Sequence, residues 1–415
     1  MLSRITCFAA IACLAGAIHA EDWPEFRGPT GQGHARDAKI PLEWSAKQNV
    51  AWKKPIDGLG WSSPVVVSGR IYLTTAVPDA KSGELSLRAL CLESKDGTNA
   101  WDVEVLRQPK GSPKPHSKNS YASPTPIVAD GKVYVHFGHM GTACLDLPGK
   151  TLWKQTDLKY SPVHGNGGSP ILAEDRLIFI CDGGDKQFAA ALDKTSGKVL
   201  WKTPRQFKAP KPFAFCTPLL IEVAGKKQVI APGANAVVAY DPADGKEIWR
   251  CDTQGYSTIP RPVFGHGLVF ISSGYDPPST LMAIRPDGTG DVTKTHVEWQ
   301  TKKGAPLTPS PLLVGDELYV IADNGTASCF DAKTGKIHWS ERVGGGYSSS
   351  PLHVGDRIYF QSEDGKMTAI RASTKYEVLG RGDLAEKTLA SFAVADDALY
   401  ARTEKHLYRI ESRDK

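Results

Sequence analysis

Beyond its first twenty residues the 415-residue chain has no apolar stretch near the ~20 residues that a membrane-spanning helix requires. Its eight Cys include no adjacent pair, no Cys-x-x-Cys and no Cys-x-x-Cys-His, which excludes zinc-ribbon, thioredoxin and covalent-haem ligand sets. Gly-x-Ser-x-Gly, His-Glu-x-x-His and phosphate-loop motifs are also missing. A net charge of only +5 carries no signature of a nucleic-acid surface, so none is expected. Methionine is scarce, at four residues against ten Trp and thirteen Tyr, which favours strands over helices.

Turn formers are abundant, with 40 Gly and 29 Pro and no collagen period. Met1 to Ala20 combine Arg4, an apolar stretch from Ile5 to Ile18 and small residues before Glu21, which reads as a secretory signal cut after Ala17 or Ala20. A lipid anchor at Cys13 is disfavoured, because the apolar run continues past it. The chain is therefore expected to be exported, to a periplasm or the exterior, with no transmembrane segment. Six Cys remain, and three disulfides could form among them in 15 ways. Cys91, Cys144 and Cys329 recur in matching contexts two residues before an acid, so they are expected as small buried side chains in separate repeats.

A repeat decides the architecture. Trp52, Trp101, Trp153, Trp201, Trp249, Trp299 and Trp339 recur every 40 to 52 residues, and Pro64, Pro124, Pro170, Pro218, Pro262, Pro311 and Pro351 open apolar strands between them. Each unit reads apolar strand, Gly-Asp-type turn, Tyr-containing strand, second turn, a short apolar strand, Asp-x-x-Thr-Gly-Lys, and the Trp strand. Four antiparallel strands per unit make a propeller blade. Ser391 to Ala401 supply an eighth first strand, and an offset of 40 places Leu379 in the eighth Trp slot. The strand counts balance only if Asn49 to Pro55 complete the last blade. The expected fold is all-β, an eight-bladed β-propeller closed by an N-terminal strand in the C-terminal blade: 1–20 signal peptide, 21–48 extension, 49–415 propeller.

The segments AALDKTSGKVLW (Ala190 to Trp201), AYDPADGKEIW (Ala239 to Trp249) and CFDAKTGKIHW (Cys329 to Trp339) resemble the pyrroloquinoline quinone (PQQ) repeat shared by quinoprotein alcohol dehydrogenases and BamB-type propellers. DWPEFRGPTGQG (Asp22 to Gly33) and RPDGTGDVTKTHVEW (Arg285 to Trp299) are similar to segments of exported planctomycete PQQ-like proteins. The resemblance implies that the seven repeat Trp are structural, packing between blades. For an enzyme it would imply PQQ with calcium, an adjacent Cys-Cys pair and an Asp base. No Cys-Cys pair exists, and no calcium ligand or base maps by motif, so no catalytic or metal residue is assigned.

His136 and His139 read as a surface loop rather than a metal pair, and Asp287 to Asp291 as a turn rather than a calcium loop. The loops from each Trp strand to the next Pro strand gather on one face, where Trp61, Tyr121, Phe215, Tyr256 and Tyr347 precede the first strands, with His116, His164, Asn166 and Arg261 beside them. These nine are the candidate ligand or partner face. Basic residues cluster there too, Arg107, Lys110, Lys114 and Lys118 in one loop and Arg205, Lys208 and Lys211 in another, which would suit an anionic partner. The expected function is an exported, non-catalytic, monomeric propeller binding a protein, small molecule or polysaccharide. The alternatives are a PQQ-dependent dehydrogenase of alcohols or sugars and a BamB-like outer-membrane assembly factor.

Overall fold

The computed structural model describes residues 21–36, 38–275 and 279–412, so the assigned signal at 1–20 lies outside the described residues. Eight antiparallel sheets follow one another around a ring. Blade 1 spans Val65 to Gln108, blade 2 Ile127 to Gln155, blade 3 Ile171 to Pro204 and blade 4 Leu219 to Asp252. Blades 5, 6 and 7 span Val263 to Thr301, Leu312 to Arg342 and Leu352 to Asp383. Blade 8 takes three strands from Ala393 to Ile410 and its outer strand from Val50–Pro55, which pairs antiparallel with His406–Ile410 and closes the ring. No helix is long and apolar enough to cross a membrane among the described residues.

The repeat Trp join blades as expected. The indole N–H of Trp52, Trp101, Trp153, Trp201, Trp299 and Trp339 each donates to a turn carbonyl of the following blade, at 2.8–3.2 Å. Blade 4 differs. Trp249 donates to the Gln228 side chain at 2.8 Å, and Gln228 passes the link to the Pro286 carbonyl of blade 5 at 3.1 Å. Gly290–Asp291 pair parallel with the outer strand of blade 4, so the Asp287 to Asp291 stretch is part turn and part edge strand. All six described cysteines are free and buried. Cys91, Cys144 and Cys329 lie opposite Trp101, Trp153 and Trp339 in separate blades.

Two register expectations are corrected. Hydrogen bonding aligns Thr125 with Ser63 and Ser169, so Pro126, not Pro124, opens blade 2. In blade 7 the residue opposite Ala369 is Gly380, where blades 1 to 6 place Trp opposite Ala or Cys, so the slot falls one residue beyond Leu379. The turn before that strand carries one extra residue, which offsets the count. Trp44, from the N-terminal segment, fills the space instead. Its ring stacks on Tyr359 at 6.4 Å and meets Phe392 edge-on at 6.1 Å. A Cβ on Gly380 would collide with the Leu42 carbonyl, and one on Gly382 would meet the Trp44 ring at 2.5 Å.

The N-terminal segment crosses the ring before it reaches that slot. Trp23 pairs with Val66 of blade 1, and the Pro24 carbonyl accepts from Val128 of blade 2 at 2.9 Å. Gln32 Oε1 accepts from Phe264 of blade 5 at 2.6 Å, and His34–Ala35 run parallel to the inner strand of blade 7. Contacts with inner strands on opposite sides of the ring place this segment across one end of the channel.

Candidate functional site

The opposite end is a cup. A cavity of about 410 Å³ opens at the loop-rich face, with Phe26 of the N-terminal segment among its lining residues. Arg261 holds that floor. In the other seven blades the residue before the inner-strand Pro, or before Phe392 in blade 8, is Ser or Thr. Arg261 takes this place in blade 5, and its buried guanidinium donates to the Phe26 carbonyl at 2.6 Å and the Pro218 carbonyl at 3.1 Å, and meets Glu25 at 3.3 Å. Gly31, at φ +65°, lies where a Cβ would come within 2.5 Å of that guanidinium, so this turn requires glycine. Burial raises the Glu25 carboxyl above its ordinary range despite Arg261, and lowers Arg27 to about 9, helped by the neighbouring Arg261 charge.

Above the floor runs a ring of hydroxyls. Ser63 N–H donates to Thr125 Oγ1, Thr125 to Ser169 Oγ and Ser169 to Thr217 Oγ1, at 2.9–3.0 Å. On the far side Arg261 N–H donates to Ser310, Ser310 to Ser350, Ser350 to Ser391, and Ser391 back to Ser63, at 2.9–3.1 Å. These bonds tie neighbouring inner strands together, and all seven hydroxyl-bearing residues line the cavity. Among the described residues no Asp or Glu lines it.

Five of the nine expected face residues reach the cavity: Trp61, His116, His164, Phe215 and Tyr256. Trp61 is buried, with the Lys387 ammonium 5.9 Å from its ring centroid. His116 and His164 meet edge-on at 5.6 Å, and the His116 N–H donates to the His164 carbonyl at 3.1 Å. His164 packs against Phe213 and Phe215 at 5.3 and 6.1 Å, and burial, with the His116 and Lys211 charges, lowers its pKa. Lys211 covers the Tyr256 ring at 4.4 Å.

The other four do not line it. Tyr121 turns outward, its hydroxyl donating to the Pro113 carbonyl. Asn166 is buried as a brace between Tyr160, the Phe137 carbonyl and His139. Arg261 is the floor clamp, and Tyr347 belongs to the core between blades 6 and 7. His136 is not in a surface loop: it is buried against Phe179, bonded to Thr142 at 2.8 Å, and burial lowers its pKa to about 3.

Three of the seven basic loop residues meet carboxylates, most of them outside the loop. Arg107 is held by Asp79, Glu84 and Glu104, and Arg205 is fully buried with Asp182 at 3.1 Å. Lys118 reaches Glu363 of blade 7 at 2.7 Å, so the loop before blade 2 straps the cavity mouth. Sequence reasoning missed the hydroxyl ring and the floor. Ser or Thr before Pro in most repeats was the available signal for the ring.

The family model described as outer membrane protein assembly factor BamB matches residues 43–156, 118–311 and 279–414, nearly the whole chain. No curated protein sequence matches it significantly. Among solved structures it is similar to BamB from Moraxella catarrhalis, with 14% identity, TM-score 0.60, and 88% of this chain and 98% of that one covered. It is also similar to the quinohemoprotein alcohol dehydrogenase of Comamonas testosteroni, with 13% identity, TM-score 0.69 and coverage of 97% and 82%. A europium-containing methanol dehydrogenase gives 13% identity, TM-score 0.67 and coverage of 93% and 90%. At these identities the likeness is one of fold.

Proposed function

The chain belongs to the family of the outer membrane protein assembly factor BamB, and from that premise we propose that it is an exported, non-catalytic propeller that binds a ligand in the cup of its loop-rich face. The observation that carries this reading is the cup itself, a cavity walled by aromatic rings and hydroxyls and floored by the chain's own N-terminal segment. Aromatic walls with a few convergent polar groups are the usual make-up of a small-molecule site. PQQ held by calcium does not suit the residues present. Among the described residues no carboxylate lines the cavity and no group of three His, Cys, Asp or Glu stands together, and no two cysteines are adjacent in sequence.

The test is titration calorimetry with a panel of neutral sugars, organic acids and phosphate esters, beside PQQ with calcium and a dye-reduction assay. Saturable binding of a panel member, weakened about tenfold by Trp61→Ala through loss of the aromatic wall, is expected. Stoichiometric PQQ uptake with turnover of an alcohol or aldose would replace the reading with a dehydrogenase. Co-purification with a barrel-assembly complex, without any small-molecule binding, would replace it with an assembly factor.

A further inference from the structure

The seven hydroxyls that tie the inner strands together are half used. Each oxygen accepts a backbone N–H from the preceding blade, yet none of the seven O–H groups donates to a protein acceptor among the described residues. A hydroxyl carries one proton to donate, so the ring presents seven uncommitted donors and has one acceptor position per oxygen already filled. They come from blades 1 to 4 and 6 to 8, hence from nearly every side of the channel axis, and all face one cavity. Among the described residues no carboxylate lines that cavity to compete for them.

The charge beneath points the same way. Two buried guanidiniums, Arg27 and Arg261, stand at the floor against the single carboxyl of Glu25. Arg27 keeps Nε and Nη1 without a partner among the described residues. A floor with surplus positive charge under a ring of donors attracts an anion. The shape of the donor set narrows its class. A carboxylate offers two oxygens in one plane, whereas a tetrahedral oxyanion presents three or more oxygens around its own axis. Trp61 and Phe215 supply aromatic surface for the body of a cyclic molecule, with Tyr256 beside them under Lys211.

Building on the binding function above, we propose that the cup takes a phosphate or sulfate monoester, its tetrahedral head in the hydroxyl ring and its cyclic body against the aromatic wall. Four matched probes test this on the full chain by calorimetry: glucose, glucuronate, glucose 6-phosphate and glucose 6-sulfate. One or both esters should bind at least tenfold more tightly than glucose and glucuronate, since charge-assisted hydrogen bonds are at stake, and the ratio of the two identifies the anion. Ser310→Ala should cost the ester about tenfold and Ser310→Thr should restore it. Should the alanine variant fail to fold, Ser310→Cys, close in size but a weak donor, gives the same comparison. Glucuronate binding as tightly as the esters, or glucose doing so, would overturn the tetrahedral-anion assignment while leaving the cup a binding site. Silence from all four probes would overturn the assignment too, and the wider panel would then decide the binding function by itself.

Discussion

Replacing Trp44 by alanine tests whether the N-terminal segment completes the propeller or merely lies on it. Trp44 is 3% exposed, stacked on Tyr359 of blade 7 and edge-on to Phe392 of blade 8, in the space left by Gly380 and Gly382. A buried Trp removes ~150–250 Å² from water, which at ~25 cal/mol per Å² is at most ~4–6 kcal/mol. Aromatic-to-alanine changes in cores cost ~3–5 kcal/mol, because the cavity collapses only in part. The indole N–H has no partner among the described residues, so packing is what the substitution measures. The expected loss is therefore about 4 kcal/mol. Leu200→Ala, at a residue 46% exposed on an outer strand, is the control and should change stability by less than about 0.5 kcal/mol. Urea denaturation gives the total, and hydrogen exchange should locate the loss in Val378–Asp383 and Val50–Pro55, the outer strands of blades 7 and 8. A loss below about 1 kcal/mol, or faster exchange spread evenly over all eight blades, would refute the view that Trp44 replaces the missing repeat Trp.

Acid should release the channel floor. His34 and His353 face each other at 3.1 Å, and burial, then the His353 and Arg27 charges, lower His34 to about 4; burial also lowers His353. Unfolded, both would titrate near 6.5, so the unfolded chain binds more protons below that pH. Stability present above about pH 6.5 is thus lost as pH falls toward 4, by up to about 3 kcal/mol for His34. Proteolysis of residues 21–48 should accelerate from pH 7.5 to 4.5, and His34→Gln should flatten that slope; an unchanged slope would exclude the pair as its cause. At the mouth, Lys118→Met should speed amide exchange in residues 109–121 with little change in melting temperature, since a part-exposed ion pair contributes no more than ~1 kcal/mol. Unaltered exchange there would show that the strap does not depend on the Lys118–Glu363 contact.

The propeller was legible because its signal is repeated. Seven Trp and seven Pro at similar spacings give the strand order many times over, and counting first and last strands requires the closure that Val50–Pro55 makes. What failed was any position fixed by one residue of slack. Leu379 was assigned by a constant offset, but one extra turn residue moved the slot to Gly380, and a glycine there says nothing by itself about a Trp far away in sequence. Pro124 and Pro126 stand two apart, and only inter-blade hydrogen bonds choose between them.

The candidate site was legible on its outside and opaque within, for a reason that bears on the proposed ligand. Trp61, Phe215 and Tyr256 stand out in sequence because aromatic residues ahead of a first strand must cover or line the channel mouth. The Ser and Thr of the ring stand out less, because the same residues before Pro read as ordinary turn chemistry. Their backbone-linking role would be met by the oxygen alone. Seven repeats of that role leave seven hydroxyl protons uncommitted around one cavity, a consequence no single repeat reveals. The exception carries the rest of the logic: where blade 5 replaces the hydroxyl with Arg261, the ring loses one donor and gains the clamp that holds Phe26 across the channel. That clamp acts together with the contacts to Val66, Val128, Phe264 and the inner strand of blade 7 to close one end of the channel beneath the hydroxyls, and a closed, donor-rich cup suits the compact oxyanion proposed above.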